Sequence, residues 1–366
     1  MLCLRQNKEQ EEIQMVNLYG TLGPACGSEK VLAEMFSLGM TGMRLNLSHV
    51  TLAESGELIG KMNRAAEKCG VKPQLLVDLQ GPELRTGTVA EPVALRNGDI
   101  VEICEISENV KAGRSTKIML PELTLPYLVP GQEVLLDDGK IHLKIVENPV
   151  SMPENRGEEI EKKRCFAKVL WGGLLKSRKS VALPGAKIYP PTLTKADLEN
   201  IKIAKEMGVT GVMQPFVRDH RDLECVKKTL QEAGAEDIRL FAKIENMDGV
   251  RKLEELFPAA DEIVIARGDL GNAVHLWDLP GVQRQISEKC RKAGKPFMVV
   301  TQMLASMECS PVPTRAEVND IFHAVLDGAS SIMVTGETAV GDYPVEVIRY
   351  MANTVKSAEN WMQKQC

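Results

Sequence analysis

Eight short apolar runs rich in β-forming residues alternate with amphipathic segments, and this alternation leaves the chain few possible folds. The runs are VNLYGTL (16–22), GMRLNLS (42–48), PQLLVDL (73–79), GVMQPF (211–216), RLFAKI (239–244), EIVIAR (262–267), FMVVTQ (297–302) and SIMVTG (331–336). Repeated right-handed crossovers between such strands build a parallel sheet, which eight β-α units can close on itself. The pattern therefore predicts an α/β fold, a (β/α)8 TIM barrel. A doubly wound open sheet fits less well, because no Gly-rich phosphate-binding turn follows the first run.

The residues between the third and fourth runs have a different character. Two segments, PVALRNGDIVEI and GQEVLLDDGKIHLKIVE, have the pattern of β-hairpins with NGD and DDG as turns, and no long helical period appears there. We therefore predict a β-rich domain, residues 86–182, inserted after the third strand. The barrel would comprise residues 15–85 and 183–366, preceded by an N-terminal segment of residues 1–14.

Composition excludes several classes of function. The net charge is −5 and aromatic residues make up only 4% of the chain, so neither a basic footprint nor a set of stacking side chains indicates a nucleic-acid partner. No apolar run reaches transmembrane length, and the N-terminus is too charged for a signal peptide. The nine cysteines form no CxxC pair, and their odd number suits a reducing compartment. We expect a cytoplasmic protein without a membrane partner.

Polar side chains stand at the carboxyl ends of five predicted strands, where barrels of this kind carry their active sites. They are Arg44, Asn46, Ser48 and His49 at the second strand, Asp78, Glu83 and Arg85 at and after the third, Lys243 and Glu245 at the fifth, Arg267, Gly268 and Asp269 at the sixth, and Thr301 and Gln302 at the seventh. The sequence therefore predicts an active site at this rim of the barrel.

Lys243 and Glu245 are the least ordinary of these residues. Positions two apart in a strand project from one face, so an ammonium and a carboxylate emerge side by side from an apolar strand. A plain ion pair within the barrel would explain them. Asp269 adds a second carboxylate one strand away, which favours a divalent cation held by Glu245 and Asp269. Mg²⁺ (or Mn²⁺) suits such a site, and Lys243 beside it could stabilise a transferring phosphoryl group or an enolate.

A second group of oxygen donors comprises Asn46, Ser48 and Asp78. These three side chains carry one formal negative charge, a composition that would suit a monovalent cation. Taken alone, they are better explained as side chains that cap the strand ends.

Seven motifs complete the pattern: MRLNLSH (43–49), VDLQGPELRTG (77–87), AKIEN (242–246), ARGDLG (266–271), TQMLASM (301–307), PTRAE (313–317) and GETAVGDYP (336–344). Together, in this order and at this spacing, they resemble the pyruvate kinase family over roughly residues 16–366. The resemblance implies the family's fold, a barrel A domain with a β-rich B domain inserted after the third strand. It also implies Mg²⁺-dependent phosphoryl transfer from phosphoenolpyruvate to ADP, giving pyruvate and ATP in glycolysis.

The resemblance assigns roles at the metal centre. Lys243 would stabilise the phosphoryl group in flight, and Glu245 and Asp269 would bind Mg²⁺. The backbone amides of Gly268 and Asp269 would hold the substrate carboxylate together with Thr301. Thr301 would also lie near the carbon that receives the proton.

The resemblance assigns a second cation site as well. Arg44 would contact the transferring phosphate, and Asn46, Ser48, Asp78 and the carbonyl of Leu79 would bind K⁺. A Glu at the position of Glu83 accompanies K⁺ dependence in this family, so the resemblance implies activation by K⁺.

The nucleotide would be bound by three further residues. Arg85 would face the phosphates of ADP or ATP, while His49 and Lys179 would lie on the nucleotide side. Departures from the family's pattern affect this side more than the metal centre: Ala182 replaces a usual Asn, Pro215 a usual Ser near the metal, Val318 and Asn319 a usual small pair, and His323 a usual Asn.

These departures keep two other functions open. One is another Mg²⁺-dependent phosphoenolpyruvate or enolpyruvate enzyme with a different phosphate acceptor, and the other is a catalytically silent paralogue. Family members normally carry a C-terminal effector domain after the barrel, which this sequence does not show. We therefore expect no allostery through that domain, and a homo-oligomer formed as a dimer through the barrel.

Overall fold

A computed structural model describes residues 15–48, 50–106, 116–137, 139–147, 165–186 and 188–365. The chain divides into two compact units, the first formed by Met1–Leu79 and Lys195–Cys366 and the second by Gln80–Thr194. The boundaries drawn from the sequence, before residue 86 and after residue 182, stay a prediction. The N-terminal segment 1–14 lies outside the described residues.

The first unit begins with three strands and two helices in alternation. They are β1 (Asn17–Thr21), α1 (Glu29–Ser37), β2 (Gly42–Asn46), α2 (Gly56–Lys68) and β3 (Gln74–Asp78), with short 3₁₀ helices at Pro24–Cys26 and Ala53–Ser55. Helix α1 begins after Ser28, whose hydroxyl accepts a hydrogen bond from the backbone of Val31 and caps the helix. The apolar residues of each strand are largely buried, as the sequence pattern predicts.

The described residues of the second unit form eight strands. They are β4 (Val93–Leu95), β5 (Ile100–Glu105), β6 (Lys117–Leu120), β7 (Glu133–Leu136), β8 (Ile141–Val146), β9 (Cys165–Trp171), β10 (Gly173–Leu175) and β11 (Val181–Ala182), with a 3₁₀ helix at Glu122–Tyr127. Six of them form one sheet in the order β11-β7-β8-β9-β5-β6, and β10 pairs with β4. The β-rich character expected between the third and fourth barrel strands is therefore present in the described residues.

One of the two hairpins predicted in this unit forms and the other does not. Strands β7 and β8, on either side of DDG, pair antiparallel. The NGD segment does turn, with Gly98 at φ +93°, but β4 and β5 on its two sides pair with different strands. The backbone of Gly98 and Asp99 bonds to Val169 instead, which directs β5 into pairing with β9. A turn sequence fixes the reversal of the chain but not the partner of each strand.

The rest of the first unit follows. Its strands are β12 (Gly211–Gln214), β13 (Arg239–Ile244), β14 (Glu262–Ala266), β15 (Phe297–Val300) and β16 (Ser331–Met333). Its helices are α3 (Lys195–Ala204), α4 (His220–Glu232), α5 (Met247–Arg251), α6 (Leu253–Leu256), α7 (Arg267–Ala273), α8 (Leu279–Lys292), α9 (Arg315–Leu326), α10 (Gly336–Ala339) and α11 (Pro344–Gln365), with a 3₁₀ helix at Ala305–Glu308.

The eight strands of the first unit close into a parallel barrel in the order β1-β16-β15-β14-β13-β12-β3-β2. Each β-prone run of the sequence contains one of these strands, so the prediction of a (β/α)8 barrel is confirmed. Large buried side chains form one cluster contributed by the strands: Tyr19, Leu76, Met213, Phe241, Val264, Ala266, Met298, Val300 and Met333. Glycine at position 211 leaves room for this cluster, because a Cβ there would lie 2.6 Å from the ring of Phe241.

No helix in the described part of the chain is both long and apolar enough to cross a membrane.

Candidate active site at the carboxyl ends of the barrel strands

Four consecutive strands of the barrel, β2, β3, β12 and β13, form the part of the rim where charged residues meet. In the register of β2 and β3, Asn46 lies opposite Asp78, and Asp78 in turn lies opposite Met213 of β12. Strand β13 follows β12 in the barrel and carries Lys243 near its carboxyl end, with Glu245 just beyond it. Because parallel strands end at the same edge of a sheet, these side chains can meet at one rim.

Lys243 lies between two carboxylates. Its Nζ is 3.2 and 3.1 Å from the two oxygens of Asp78 and 3.0 Å from Oε1 of Glu245. Burial alone would lower the pKa of Lys243, but the two carboxylates outweigh it and the pKa is raised. Lys243 is therefore a positively charged residue held in a water-poor site, where its charge acts more strongly than it would in water.

Asp78 orients two cations at once. Oδ2 of Asp78 accepts hydrogen bonds from Nε of Arg44 at 2.8 Å and from Nη2 at 2.7 Å, in addition to the contacts of Lys243. Burial raises the pKa of the Asp78 carboxyl, but Lys243 and Arg44 together outweigh this and lower it. Asp78 is therefore ionised, and it fixes the position of both positive charges.

Glu245 is buried to 3% exposure, and its Oε2 accepts a hydrogen bond from the backbone of Phe216 at 2.7 Å. Burial raises the pKa of Glu245 to about 7; Lys243 opposes this shift, while the charges of Asp269 and Asp78 add to it. The protein thus compensates the negative charge of the ionised Glu245 carboxylate only in part.

The carboxylates of Glu245 and Asp269 lie close enough for the charge of Asp269 to raise the pKa of Glu245 beyond the effect of burial. A divalent cation next to both carboxylates would relieve this repulsion. In the described residues no group of three or more His, Cys, Asp or Glu side chains could hold a metal. A cation here would therefore rest on two carboxylates and take its other ligands from water and substrate, as Mg²⁺ commonly does.

Gly268 and Thr301 lie against each other on the opposite side of this rim. Gly268 is in the first turn of α7, directly after β14, and Thr301 directly follows β15. A Cβ at position 268 would lie 3.2 Å from Cγ2 of Thr301. The structure therefore brings together two of the residues that the sequence predicted for the substrate carboxylate.

Three residues at this rim have an uncommon backbone conformation. Thr301, Gln302 and Phe216 have φ values of +81°, +54° and +52°. Non-glycine residues rarely adopt the left-handed region, and a β-branched threonine does so least readily. Such strain costs on the order of 1–3 kcal/mol per residue and is found mainly at functional sites. Residue type does not indicate this conformation, because none of the three positions is Gly or Asn.

Arg267 is the site residue whose role the sequence did not reveal. Its guanidinium donates to the carbonyl oxygen of Thr301 from Nε at 3.1 Å and from Nη2 at 2.6 Å, and Nη1 donates to Asp320 at 2.6 Å. Arg267 appeared among the polar residues of the rim, but its partners lie 34 and 53 positions away along the chain. Only the fold brings them together.

The predicted K⁺ ligands occupy the ends of β2 and β3. Oδ1 of Asn46 accepts a hydrogen bond from the backbone of Ser48 at 3.1 Å, and the buried Leu79 follows Asp78. The four donors are oxygens with one formal charge, a set that fits K⁺ in kind. Arg44 already shares the charge of Asp78 with Lys243, so the protein alone attracts a further cation weakly.

Two of the predicted nucleotide residues belong to the second unit. Arg85 pairs with Glu83 at 2.5 Å, and Lys179 pairs with Asp137 at 2.7 Å. The two lie close together, because the backbone of Lys179 donates to Oγ1 of Thr86 at 2.9 Å. The third residue, His49, lies outside the described residues.

Of the residues that depart from the family's pattern, Pro215 is at the rim. It stands between the end of β12 and Phe216, and its carbonyl accepts a hydrogen bond from Nε2 of Gln214 at 3.1 Å. Proline fixes its own φ, which suits a turn that delivers the next residue's amide to Glu245. The substitution therefore leaves the contact between Phe216 and Glu245 in place.

Comparisons with known proteins show the family to which the chain is similar. The sequence profile of the pyruvate kinase barrel domain matches residues 13–348. A pyruvate kinase of Aeropyrum pernix is 37% identical over 92% of this chain and 69% of its own length. Pyruvate kinases of Bacillus licheniformis and Chlamydia pneumoniae are 36% and 34% identical over 93% of this chain, and over 56% and 67% of their own lengths. The chain thus spans little more than half of the Bacillus relative.

Proposed function

The chain belongs to the pyruvate kinase family, and on this premise we propose that it transfers the phosphoryl group of phosphoenolpyruvate to ADP, giving pyruvate and ATP. The observation that carries the proposal is the position of Lys243, a cation with a side chain only 13% exposed, 3.0 Å from Glu245 and 3.1 Å from Asp78 at the carboxyl ends of the barrel strands. Phosphoryl transfer needs positioned positive charge more than covalent participation by the protein, and Lys243 with Arg44 supplies it.

Each rim residue has a task in this reaction. Asp78 holds the guanidinium of Arg44 and the ammonium of Lys243 on one side of the site, where both would meet the phosphoryl group. Because the two cations are already oriented by a buried carboxylate, little reorganisation is needed when charge moves from one oxygen to another. Thr301, against Gly268, would contact the carboxylate end of the substrate.

Glu245 and Asp269 would hold Mg²⁺. When bound, the ion would neutralise negative charge on the enolate oxygen and the phosphoryl group. Without it, the carboxylates of Glu245 and Asp269 would repel phosphoenolpyruvate, so turnover should require the divalent ion. Asn46, Ser48, Asp78 and Leu79 would hold K⁺.

The K⁺ site has a test of its own. Since Asp78 is already paired with two cations, K⁺ should bind well only when the substrate phosphate adds negative charge. We therefore expect activity to depend on K⁺. Equal rates in K⁺ and in tetramethylammonium, at equal ionic strength, would reject the site.

We also propose an oligomeric state, a location and a set of nucleotide-binding residues for this chain. We propose a homodimer through the barrel and a cytoplasmic location; none of the cysteines in the described residues is joined in a disulfide, as a reducing compartment requires. We also propose that Arg85, Lys179 and His49 meet the nucleotide, after Arg85 and Lys179 exchange their acidic partners Glu83 and Asp137 for phosphate.

A second candidate function is Mg²⁺-dependent transfer from phosphoenolpyruvate to an acceptor other than ADP. The observation that favours it is the nucleotide side, where Ala182 replaces the expected Asn and both basic residues are already paired with carboxylates. The centre around Lys243 serves either acceptor equally well.

The decisive test is pyruvate formation from phosphoenolpyruvate and ADP with Mg²⁺, with and without K⁺, beside a Lys243→Met variant. We expect pyruvate with the wild type and a loss of at least about a hundredfold in the variant, since Lys243 is the central electrostatic group. If no pyruvate forms although phosphoenolpyruvate binds in the presence of Mg²⁺, the acceptor is not ADP or the chain is catalytically silent.

A further inference from the structure

The backbone at Thr301 is strained in a way that local sequence does not maintain. Both Thr301 and Gln302 have positive φ, and neither is a residue type that tolerates it well. A conformation of this kind persists only where surrounding contacts determine it. Those contacts must act on the backbone of Thr301 itself.

Arg267 makes such a contact. Two of its N–H groups converge on the carbonyl oxygen of Thr301, at 3.1 and 2.6 Å, and Nη2 also lies 2.8 Å from Sδ of Met303 in the same loop. The side chain of Arg267 is only 12% exposed. A forked guanidinium can hold one oxygen with two donors, whereas a lysine ammonium cannot reproduce that planar geometry.

Asp320 holds the guanidinium from the other side. Its Oδ2 accepts a hydrogen bond from Nη1 of Arg267 at 2.6 Å, and it lies on α9, while Arg267 begins α7. The pair therefore ties two helices to the loop after β15. A charged, bonded partner removes the freedom of the arginine to turn toward water.

Other acidic residues hold the rest of this loop at different points. Glu337 accepts hydrogen bonds from the backbone of Leu304 at 3.2 Å and of Thr335 at 2.6 Å. Glu317 accepts hydrogen bonds from the backbone and hydroxyl of Ser306 at 2.7 and 2.6 Å. These anchors act three or more residues beyond Thr301, so they fix the course of the loop rather than the peptide group of Thr301.

Gly268 shows how little freedom Thr301 has. A Cβ at position 268 would lie 3.2 Å from Cγ2 and 3.6 Å from Oγ1 of Thr301. The side chain of Thr301 is thus confined on one side by Gly268, while its carbonyl is held by Arg267.

We propose that Arg267, held by Asp320, is a positioning residue for Thr301: the guanidinium fixes the carbonyl of Thr301 in the left-handed conformation and so aims its side chain at the substrate. Arg267 contacts no reacting atom in this role. The expected effect on turnover rests on the proposed function, in which Thr301 lies near the carbon that takes up the proton. A misplacement of Thr301 should therefore slow the proton step more than the binding of substrate.

The experiment compares Arg267→Lys and Asp320→Asn with the wild type, in the full chain. The matched control is Glu262→Gln, which removes the charge from another arginine-bonded carboxylate, 3.0 Å from Arg239, in the same barrel. Each protein is measured for kcat, for KM of phosphoenolpyruvate and for the solvent deuterium isotope effect on kcat. Thermal unfolding shows that each variant is folded.

We expect kcat to fall about a hundredfold in Arg267→Lys and about tenfold in Asp320→Asn, since small displacements of catalytic groups have effects of this size. KM should change less than about threefold, and the solvent isotope effect should rise, because proton transfer becomes slower relative to the other steps. The control should keep its kcat within about twofold and its isotope effect unchanged.

A second readout does not depend on turnover. In spectra of threonine methyl groups labelled with ¹³C, the Thr301 signal, assigned with Thr301→Ser, should shift in Arg267→Lys and Asp320→Asn and stay in place in Glu262→Gln. An unchanged Thr301 signal in both variants would overturn the proposal whether or not the wild type forms pyruvate. If the wild type forms pyruvate, an unchanged kcat and isotope effect in both variants, or a loss that the control shares, would also overturn it.

Discussion

The two ends of strand β13 each carry a basic residue on the same face, and their surroundings differ. Arg239 and Lys243 are four positions apart, with the fully buried Phe241 between them, and alternate residues of a strand share a face. The guanidinium of Arg239 lies over the ring of Phe241 at 4.8 Å. The same strand thus contributes one cation to each end of the barrel.

At the amino end the polar groups are matched. Arg239 donates to the buried Glu262 at 3.0 Å, and Gln74 accepts a hydrogen bond from the hydroxyl of Tyr19 at 2.7 Å. Ser330 donates to the other oxygen of Glu262 at 3.0 Å. One positive charge faces one negative charge, and neutral side chains complete the network.

At the carboxyl end like charges lie close together, and the backbone is strained. Burial raises the pKa of Glu245, and the charges of Asp269 and Asp78 raise it further. The positive-φ residues Phe216, Thr301 and Gln302 directly or closely follow strands that end at this rim. Conformations and charges of this kind cost stability, so they indicate a site built for binding and reaction. The amino end of the barrel stabilises the fold, whereas the carboxyl end is less stable because its residues serve function.

The substitution Glu245→Gln, at the carboxyl end of the barrel, should have the largest effect on kcat. The change leaves size and burial nearly constant but removes a charge that would hold Mg²⁺. We expect kcat to fall by about a thousandfold and the Mg²⁺ concentration for half-maximal rate to rise, because a divalent ion prefers carboxylate to amide ligands. The matched variant Glu262→Gln should show neither change. A Glu245→Gln enzyme with an unchanged Mg²⁺ requirement would contradict the metal site.

A smaller effect is expected from Gly268→Ala. The new Cβ would lie 3.2 Å from Cγ2 of Thr301, which Arg267 prevents from moving away. We expect kcat to fall about tenfold with little change in unfolding temperature. The control is Gly281→Ala in α8, where a Cβ would meet nothing within 4 Å and should stabilise the helix slightly. Equal kcat values in the two variants would show that the approach of Thr301 to Gly268 is unimportant.

The sequence predicted most of the barrel and the charged centre. Apolar runs of β-forming residues predict strands directly. A lysine and a glutamate on one face of such a run indicate either an ion pair or an active site. The structure shows that Lys243 and Glu245 do form an ion pair, but one shared with Asp78 and set beside Asp269 rather than a closed pair.

What the sequence could not show depends on contacts between distant residues. The role of Arg267 requires Thr301 and Asp320 to come together from different β-α units. Contacts of this kind impose the positive φ at Phe216 and Thr301, and the residue types at these positions do not indicate it. The predicted hairpin at NGD failed for the same reason, because hydrogen bonds to Val169 from a later strand decide the pairing of β5.

The smallest expected effects are on the pH dependence of stability. Replacing Glu317 and replacing Glu262 should change this dependence in opposite directions. Burial raises the pKa of Glu317, but the hydrogen bonds from Ser306 and Thr314 outweigh it and lower the pKa. The stability that this carboxylate contributes is therefore present above its unfolded pKa and lost as pH falls through its folded pKa. Glu317→Gln should be less stable than the wild type by about 1 kcal/mol at pH 7, where solvent screening limits the difference. This difference should shrink as pH falls through the folded pKa of Glu317.

Glu262 should behave in the opposite way. Burial raises the pKa of this carboxyl, and the neighbouring polar groups of Ser331, Arg239 and Ser330 only partly offset the shift. Stability linked to Glu262 is present below its unfolded pKa and lost as pH rises through its folded pKa, so Glu262→Gln should gain on the wild type as pH rises. Denaturant unfolding at several pH values measures both variants. Parallel pH profiles for Glu317→Gln and Glu262→Gln would contradict the assigned environments.

The most direct test of the difference between the two ends is a pair of variants on β13, Lys243→Met and Arg239→Met, measured together for pyruvate formation and for free energy of unfolding. We expect Lys243→Met to stay folded and to lose kcat by at least about a hundredfold. Arg239→Met should keep kcat within about twofold and lose roughly 2 kcal/mol of stability, because Glu262 is left buried without its cation. Comparable losses of kcat in both variants, or a Lys243→Met enzyme that retains more than about a tenth of its activity, would contradict this expectation.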